Sequence, residues 1–312
     1  MFHKSRTPFI FAIPEVFITS KLNLLNKLIY ILLSFIVLCS CSKEDITIPN
    51  NPAGNTDTTM VNVSYGDHQM QKYDIYLPAG RDSTTPVLLM IHGGAWKGGQ
   101  KEEFNYYVSL IKKNWSNVAI VNMNYRLASN TNNIHHTEIM DDINKAIGNV
   151  LDNLGDYHIS SKMGIIGASA GGQLAMIYAY KYNDHNNINC VASLFGPTII
   201  NDWAWYSSTN IWLGGKVGDI LTEYVGQAWD GDVYESVSPY WNISSTSQPT
   251  ILFHGNIDPI VPVYQSQWMN GKLNTLNVTH EYHEYFALHG FDNTQSEDVI
   301  KKLVSFFSKH IK

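Results

Sequence analysis

The chain has 312 residues, of which 44% are apolar, 12% aromatic and only 15% charged, with a net charge of −6. That length supports one large hydrophobic core or two small ones, and the apolar content is too high for a disordered chain. With 21 basic residues against 27 acidic ones there is no Lys/Arg surplus to neutralise phosphates, which excludes a nucleic-acid partner.

The charge is unevenly divided. Residues 1–40 carry Lys4, Arg6, Lys21 and Lys27 against Glu15 alone, which leaves the remainder with a net of −9. After Lys27 runs LIYILLSFIVL, eleven residues broken only by Ser34. A membrane-spanning helix needs about 20 apolar residues, so this stretch fits the core of a signal peptide instead. The next residues, Leu38-Cys39-Ser40-Cys41, resemble the lipobox of bacterial lipoproteins, with Cys39 an unusual residue at its middle position. The Lys-Glu-Asp just after Cys41 resembles a surface-export signal of such proteins. The resemblance implies a signal peptide over 1–40, a lipidated Cys41 and a flexible tether over 41–59, rich in Asn, Pro, Gly, Thr and Ser. It also implies a place on the outer membrane of a bacterial cell envelope, exposed at the surface and held by the N-terminal lipid. A plain secretory signal or an uncleaved anchor is the alternative. Without the signal, Cys190 is the one ordinary cysteine, so no intramolecular disulfide staples the mature fold.

From residue 60 to 312, strand-like and helix-like segments alternate, which predicts a single α/β domain with a mostly parallel sheet flanked by helices. Val61–Ser64 and Lys72–Leu77 read as the first strands. PVLLMI, ending at Ile91, is a continuous apolar run of the kind that a strand buried on both faces needs. A helix over 102–114, the strand VAIVNMNY, and a helix over 137–154 with Ile139, Met140, Ile143, Ile147, Val150, Leu151 and Leu154 on one stripe come next. KMGIIG, the helix GGQLAMIYAYKY and the strand CVASLF follow. Between Pro197 and Pro249 the alternation fails, and this stretch holds Trp203, Trp205, Trp212, Trp229 and Trp241, five of the chain's eight tryptophans. Order resumes with TILFHG, a helix over 263–273, the strand VTHEYHEYF and a closing helix that buries Val299, Ile300, Leu303, Val304 and Phe307.

Four short motifs stand at strand ends. Gly167-Ala168-Ser169-Ala170-Gly171 lies between a buried strand and an amphipathic helix, the context of a nucleophile elbow. Ser169 is the candidate nucleophile, and Ala170 N–H at the helix start is a candidate oxyanion donor. His92-Gly93-Gly94-Ala95-Trp96 follows PVLLMI; Gly93 and Gly94 let backbone N–H groups approach a ligand, with His92 as a structural support. Trp96 either lines the site or packs in the core. HGNIDPIVP offers Asp258 and ALHGF offers His289, so nucleophile, acid and base occur in the order Ser169, Asp258, His289. A hydroxyl is a poor nucleophile without a base, and the base needs an acid to fix its tautomer. His280, His283 and His310 lie inside elements, His254 precedes the acid, and Asp292 stands too close to His289, so these fit less well. No cysteine cluster or paired-histidine motif suggests a metal, and no cofactor is needed.

HGGAW, GASAGG, the Asp258 loop and ALHGF together resemble the α/β-hydrolase esterases with an HGGxW oxyanion loop, over nearly all of residues 60–310. The nearest likeness is to the carboxylesterase and carbohydrate-esterase branch, feruloyl and acetyl-xylan esterases included. The resemblance implies an α/β-hydrolase fold with an aromatic-rich cap over 197–249, inserted after the sixth core strand. It also implies two-step acyl transfer by Ser169, His289 and Asp258, with Gly93, Gly94 and Ala170 as oxyanion donors. The substrate would be a small-molecule or polysaccharide-linked ester, acetyl or feruloyl, and Trp96, Trp203, Trp205 and Trp212 are the pocket candidates. Relatives with a third glycine have it where this chain has Ala95. A prolyl-oligopeptidase-like peptidase, an arylformamidase and a non-catalytic glycan-binding lipoprotein remain as alternatives, and the oligomeric state stays open.

Overall fold

Strands of two characters build one sheet in the computed structural model, which describes residues 56–183 and 185–311. The signal segment 1–40, Cys41 and most of the tether lie outside the described residues. At one edge, β1 (Thr58–Ser64) and β2 (Lys72–Leu77) run antiparallel, and β1 alternates exposed and half-buried residues as an edge strand does. β1 corrects the expected tether boundary: Thr58 and Thr59 pair with Leu77 and Tyr76, and Asp57 accepts the Ala79 N–H at 2.7 Å. A threonine pair that reads as polar linker is also β-branched and suits a strand once a partner is there.

The rest of the sheet comes from β3 (Val87–Ile91), β4 (Ala119–Met123), β5 (Met163–Ala168), β6 (Ile188–Leu194), β7 (Thr250–Gly255) and β8 (His280–Tyr285). The strand order is β1-β2-β4-β3-β5-β6-β7-β8. Every neighbouring pair from β4 to β8 is parallel, while β2 is antiparallel to β4. β3 and β4 are buried at every residue because helices cover both faces. Val87, Leu89 and Ile91 point to one side, where α2 (His136–Asp152) lays down Ile139, Ile143 and Ile147 and α3 (Ala170–Ile177) lays down Leu174. Leu88 and Met90 point to the other, against Ile111 of α1 (Asn105–Asn114) and Leu303 and Phe307 of α6 (Asn293–His310). On α6, Phe306 is buried and Val304 only half-buried, contrary to the expected stripe.

The segment between β6 and β7 carries α4 (Val217–Val225), some short turns, and a two-residue antiparallel pair, Thr209–Asn210 with Gly215–Lys216. It is pinned above the sheet's carboxyl edge. The Trp205 indole N–H donates to Ile260 O at 3.0 Å and Asn210 Nδ2 to Pro259 O at 2.7 Å. These bonds hold the insertion against the loop between β7 and α5 (Tyr264–Thr275).

Candidate active site

The carboxyl ends of β3, β5, β7 and β8 deliver the four motifs to one place, as parallel strands that all point the same way must. After β5 the chain turns sharply into α3 at Ser169, whose φ of +53° and ψ of −123° lie outside the usual regions for a side-chain-bearing residue. The glycines around it make the turn possible. A Cβ on Gly167 would lie 2.0 Å from Gly171 O, and one on Gly171 would lie 2.1 Å from Ile91 O. Ser169 N–H donates to Leu194 O at 2.9 Å, and Ser169 O accepts from Gly172 N at 2.9 Å, so the backbone is anchored and the hydroxyl is left facing outward.

His289, on the loop between β8 and α6, places Nε2 2.8 Å from Ser169 Oγ and Nδ1 2.6 Å from Asp258 Oδ2. The carboxylate accepts from Nδ1–H, so Nε2 is left to accept the serine proton. The Asp258 side chain is fully buried. Burial pushes its carboxyl up, but hydrogen bonds from His254 and His289, the nearby His289 charge and the Ile260 N–H outweigh this and hold it at about 2. Oδ1 accepts from Ile260 N at 2.8 Å and Val261 N at 3.0 Å. Phe195, the residue after β6, packs its ring 4.7 Å from that of His289.

His254, set aside in the sequence as a rival base, instead sits beside the acid, with Nε2 3.2 Å from Asp258 Oδ2. The signal for it was its spacing: four residues before Asp258, at the end of β7. Asp292 caps α6, accepting the Gln295 N–H at 2.8 Å, and His280 and His283 lie along β8.

The loop after β3 is wound tightly. Gly94 has φ of +108°, and Ala95 and Trp96 have φ of +52° and +62°, a left-handed region that is costly for a tryptophan. Gly94 O accepts from Lys97 N at 3.1 Å and Gly98 N at 2.9 Å, and Ala128 N–H donates to Trp96 O at 2.9 Å. The buried Trp96 indole stacks on Tyr224, with centroids 4.4 Å apart, and its Nε1–H donates to Gln173 Oε1 at 2.9 Å. His92 stacks on Tyr125 at 4.4 Å, its Nδ1 2.7 Å from Gly93 O, and burial pushes it down to about 4. Gly93 lies so close to the elbow that a Cβ on it would be 2.9 Å from Ala168 O. The Ala170 N–H belongs to the first turn of α3, where helix N–H groups have no intrahelical acceptor.

Two spaces open beside Ser169. One is a cleft of about 420 Å³ lined by Gly93, Glu103, Tyr107, His289 and Phe291 among others. The other is a recess of about 20 Å³, bounded by Ala95, Ala170, Trp205, Val217, Ile220 and Leu221, with room for about one water-sized group. Leu213 borders both. Of the tryptophan candidates, Trp96 and Trp205 wall the recess. Trp203 and Trp212 line neither space, which corrects their expected place in the pocket: Trp203 stacks on Tyr206, and Trp212 is 65% exposed. Among the described residues, no group of three or more His, Cys, Asp or Glu side chains is placed to hold a metal ion. A base-linked hydroxyl beside free backbone N–H groups can attack a carbonyl carbon and hold the resulting oxyanion.

Residues 73–273 match the BD-FAE family. Esterase LipC of Mycobacterium tuberculosis is 26% identical over 254 residues, covering 74% of this chain and 59% of LipC. Kynurenine formamidase of Salmo salar is 30% identical over 118 residues, covering 38% of this chain and 37% of that protein. The chain thus spans less than two thirds of either relative's length. Among solved structures, a bifunctional GH43-CE protein of Bacteroides eggerthii superposes with a TM-score of 0.68 at 21% identity, over 80% of this chain and 38% of that one. A truncated carbohydrate esterase from gut microbiota gives 0.66 at 18% identity, over 82% and 98%. At such identities the structures establish the α/β-hydrolase fold.

Proposed function

This chain belongs to the BD-FAE family, and from that premise we propose that it is a serine esterase removing a small acyl group, acetyl, from a carbohydrate hydroxyl. The observation that carries the proposal is the hydrogen-bonded series Ser169–His289–Asp258, opening on a wide cleft to one side and a one-group recess to the other. Ser169 Oγ attacks the ester carbonyl while His289 Nε2 takes its proton, and Asp258 stabilises the imidazolium. The tetrahedral oxyanion rests on backbone N–H groups of Gly93, Gly94 and Ala170. His289 returns the proton to the leaving alcohol, so the alcohol lies on the His289 side, in the cleft, and the acyl group lies opposite, in the recess. Water then cleaves the acyl-enzyme by the same route.

A recess with room for one small group suits acetyl, and a feruloyl group, with its ring and propenoyl arm, does not enter it. The carbohydrate alcohol is supported by the solved neighbour described as a carbohydrate esterase. An arylformamidase is the second reading, favoured by the kynurenine formamidase relatives, since formyl also fits the recess. The basic, apolar leader and Cys41 support a lipid-anchored enzyme of the bacterial outer membrane, facing outward.

One panel tests these statements: residues 42–312, wild type and Ser169→Ala, against nitrophenyl acetate, acetylated xylan, methyl ferulate, a formyl-kynurenine and a prolyl peptide. Acetate and acetylated xylan should turn over, and the alanine variant should be inactive on both. Full turnover by the variant overturns the nucleophile, and cleavage of the formamide alone favours the second reading. For the anchor, full-length protein should partition into a detergent phase and Cys41→Ala should not.

A further inference from the structure

His254 is the penultimate residue of β7, a strand buried along its whole length, and has no exposed surface. Its Nδ1 lies 2.6 Å from Ser266 Oγ on α5; its Nε2 lies 3.0 Å from Val261 O and 3.2 Å from Asp258 Oδ2. Both neighbours of Nε2 are acceptors only, one a carbonyl and the other an ionised carboxylate, so Nε2 carries a proton whatever the charge on the ring. In the neutral ring, Ser266 O–H donates to the bare Nδ1. The charged groups facing the imidazole are Asp258 on its own loop and Glu284, its register partner on β8, which is itself bonded to Tyr282 and Gln267.

We propose that His254 is a positioning residue for the acid: its Nε2–H, shared between Val261 O and Asp258 Oδ2, locks the carboxylate so that Oδ2 faces His289. The inference rests on the esterase reading of Ser169, Asp258 and His289. A carboxylate has about four lone-pair sites. Here Oδ1 takes the Ile260 and Val261 N–H groups, and Oδ2 takes His254 and His289. With all four filled, the carboxylate has no rotation available that does not break a bond. The shared Val261 carbonyl matters too, because the same imidazole proton ties down the loop whose N–H groups hold Oδ1. His254 touches neither the serine hydroxyl nor the spaces beside it, so it acts only through Asp258.

Removing the donor should loosen the carboxylate and leave its charge less compensated, which strengthens its hold on the imidazolium form of His289. His254→Phe keeps a ring and loses the donor, while His254→Gln returns an N–H close to the Nε2 position. For His254→Phe, kcat on nitrophenyl acetate should fall about tenfold, the loss expected of one hydrogen bond to a charged group, with KM nearly unchanged. The acid limb of its kcat/KM profile should move to higher pH, and His254→Gln should recover most of both. A phenylalanine variant with the wild-type profile, or one whose rate falls with no movement of the limb and no rescue by glutamine, overturns the proposal. If His254→Phe does not fold, His254→Asn decides. Its shorter amide reaches Ser266 at the Nδ1 position but brings no donor to Asp258, so a limb moved upward supports the role and an unmoved limb overturns it. Turnover retained by Ser169→Ala would instead sink the esterase reading, and is scored separately.

Discussion

Trp96 and Gln173 are joined across the site: the indole Nε1–H donates to Gln173 Oε1 at 2.9 Å, and Gln173 stands four residues past Ser169, on the helix that Ser169 caps. The same Oε1 accepts the Tyr224 O–H at 2.9 Å, and Gln173 Nε2 donates to Val237 O at 2.8 Å. One buried amide therefore links the elbow helix, the glycine loop and the insertion. It also holds Trp96 in a left-handed conformation that a tryptophan does not adopt unaided.

Gln173→Leu would leave two donors and a carbonyl unpaired in a dry interior. Each such group costs about 1–3 kcal/mol, so a loss of at least about 2 kcal/mol in urea unfolding is expected. Because the loop that carries Gly93 and Gly94 loses its tie, kcat should also drop, with KM changing less. A variant as stable and as active as wild type would show that the loop needs no such anchor.

The recess makes its own demand on acyl length. Nitrophenyl acetate should be preferred over the butyrate by at least about tenfold in kcat/KM, since two further methylenes have no space and each is worth about 0.8 kcal/mol when it cannot be buried. Ile220→Ala removes one wall from a half-buried position and should narrow that gap chiefly by raising butyrate turnover. Equal rates on both esters in the wild type would place the acyl group elsewhere.

Asp258→Asn tests the acid directly. The amide keeps an oxygen for the Ile260 and Val261 N–H groups, but turns an NH2 toward the N–H groups of His254 and His289. His289 is then driven toward the tautomer with its proton on Nε2, which cannot accept from Ser169. A fall in kcat of roughly 10³–10⁴ is expected at neutral pH, with substrate affinity preserved. Steady-state kinetics with a single-turnover control for the acyl-enzyme step would measure it.

What the sequence made visible follows from local physics. Runs such as Val87–Ile91 and Ala119–Met123 read as buried strands because they are apolar without a break, and the stripe on α2 reads as a helix because its period is near 3.6. Ser169, Asp258 and His289 could be placed at strand ends one by one, each beside a turn signal. What brings them within 2.6–2.8 Å is the strand order, in which β5 and β7 flank β6, and no local pattern states that order. Buried charge was equally hidden. Asp142 lies on the apolar face of α2, bonded to Arg126 and Gln71, and Lys101 is buried against Asp74; composition alone would put both in water. The insertion's tryptophans could not be sorted because an irregular segment has no period to assign faces. Trp205 turns inward and Trp212 outward only because Ile260 and Pro259 supply the carbonyls that fix the turns.

Those buried groups give the domain a definite response to acid. His136 packs between Tyr224 and Tyr182, with Nδ1 2.7 Å and Nε2 3.1 Å from their hydroxyls, and burial followed by the Lys181 charge pushes it down to about 3. Burial likewise pushes His92 down to about 4. Between the ordinary histidine value of about 6.5 and these lowered values, the unfolded chain binds protons that the native state does not, so stability falls as pH falls. The contribution is fully present above about pH 6.5 and drains away toward about pH 4 for His92 and about pH 3 for His136, at up to about 1.4 kcal/mol per pH unit for each group. Asp258 extends the loss between the ordinary aspartate range and about pH 2. His136→Gln can still bond one of the two tyrosines but does not titrate. Its unfolding free energy, measured in urea from pH 7 to pH 4, should therefore start lower than wild type and decline with a slope smaller by close to one proton. Parallel wild-type and variant curves would mean that His136 takes up its proton without unfolding the chain.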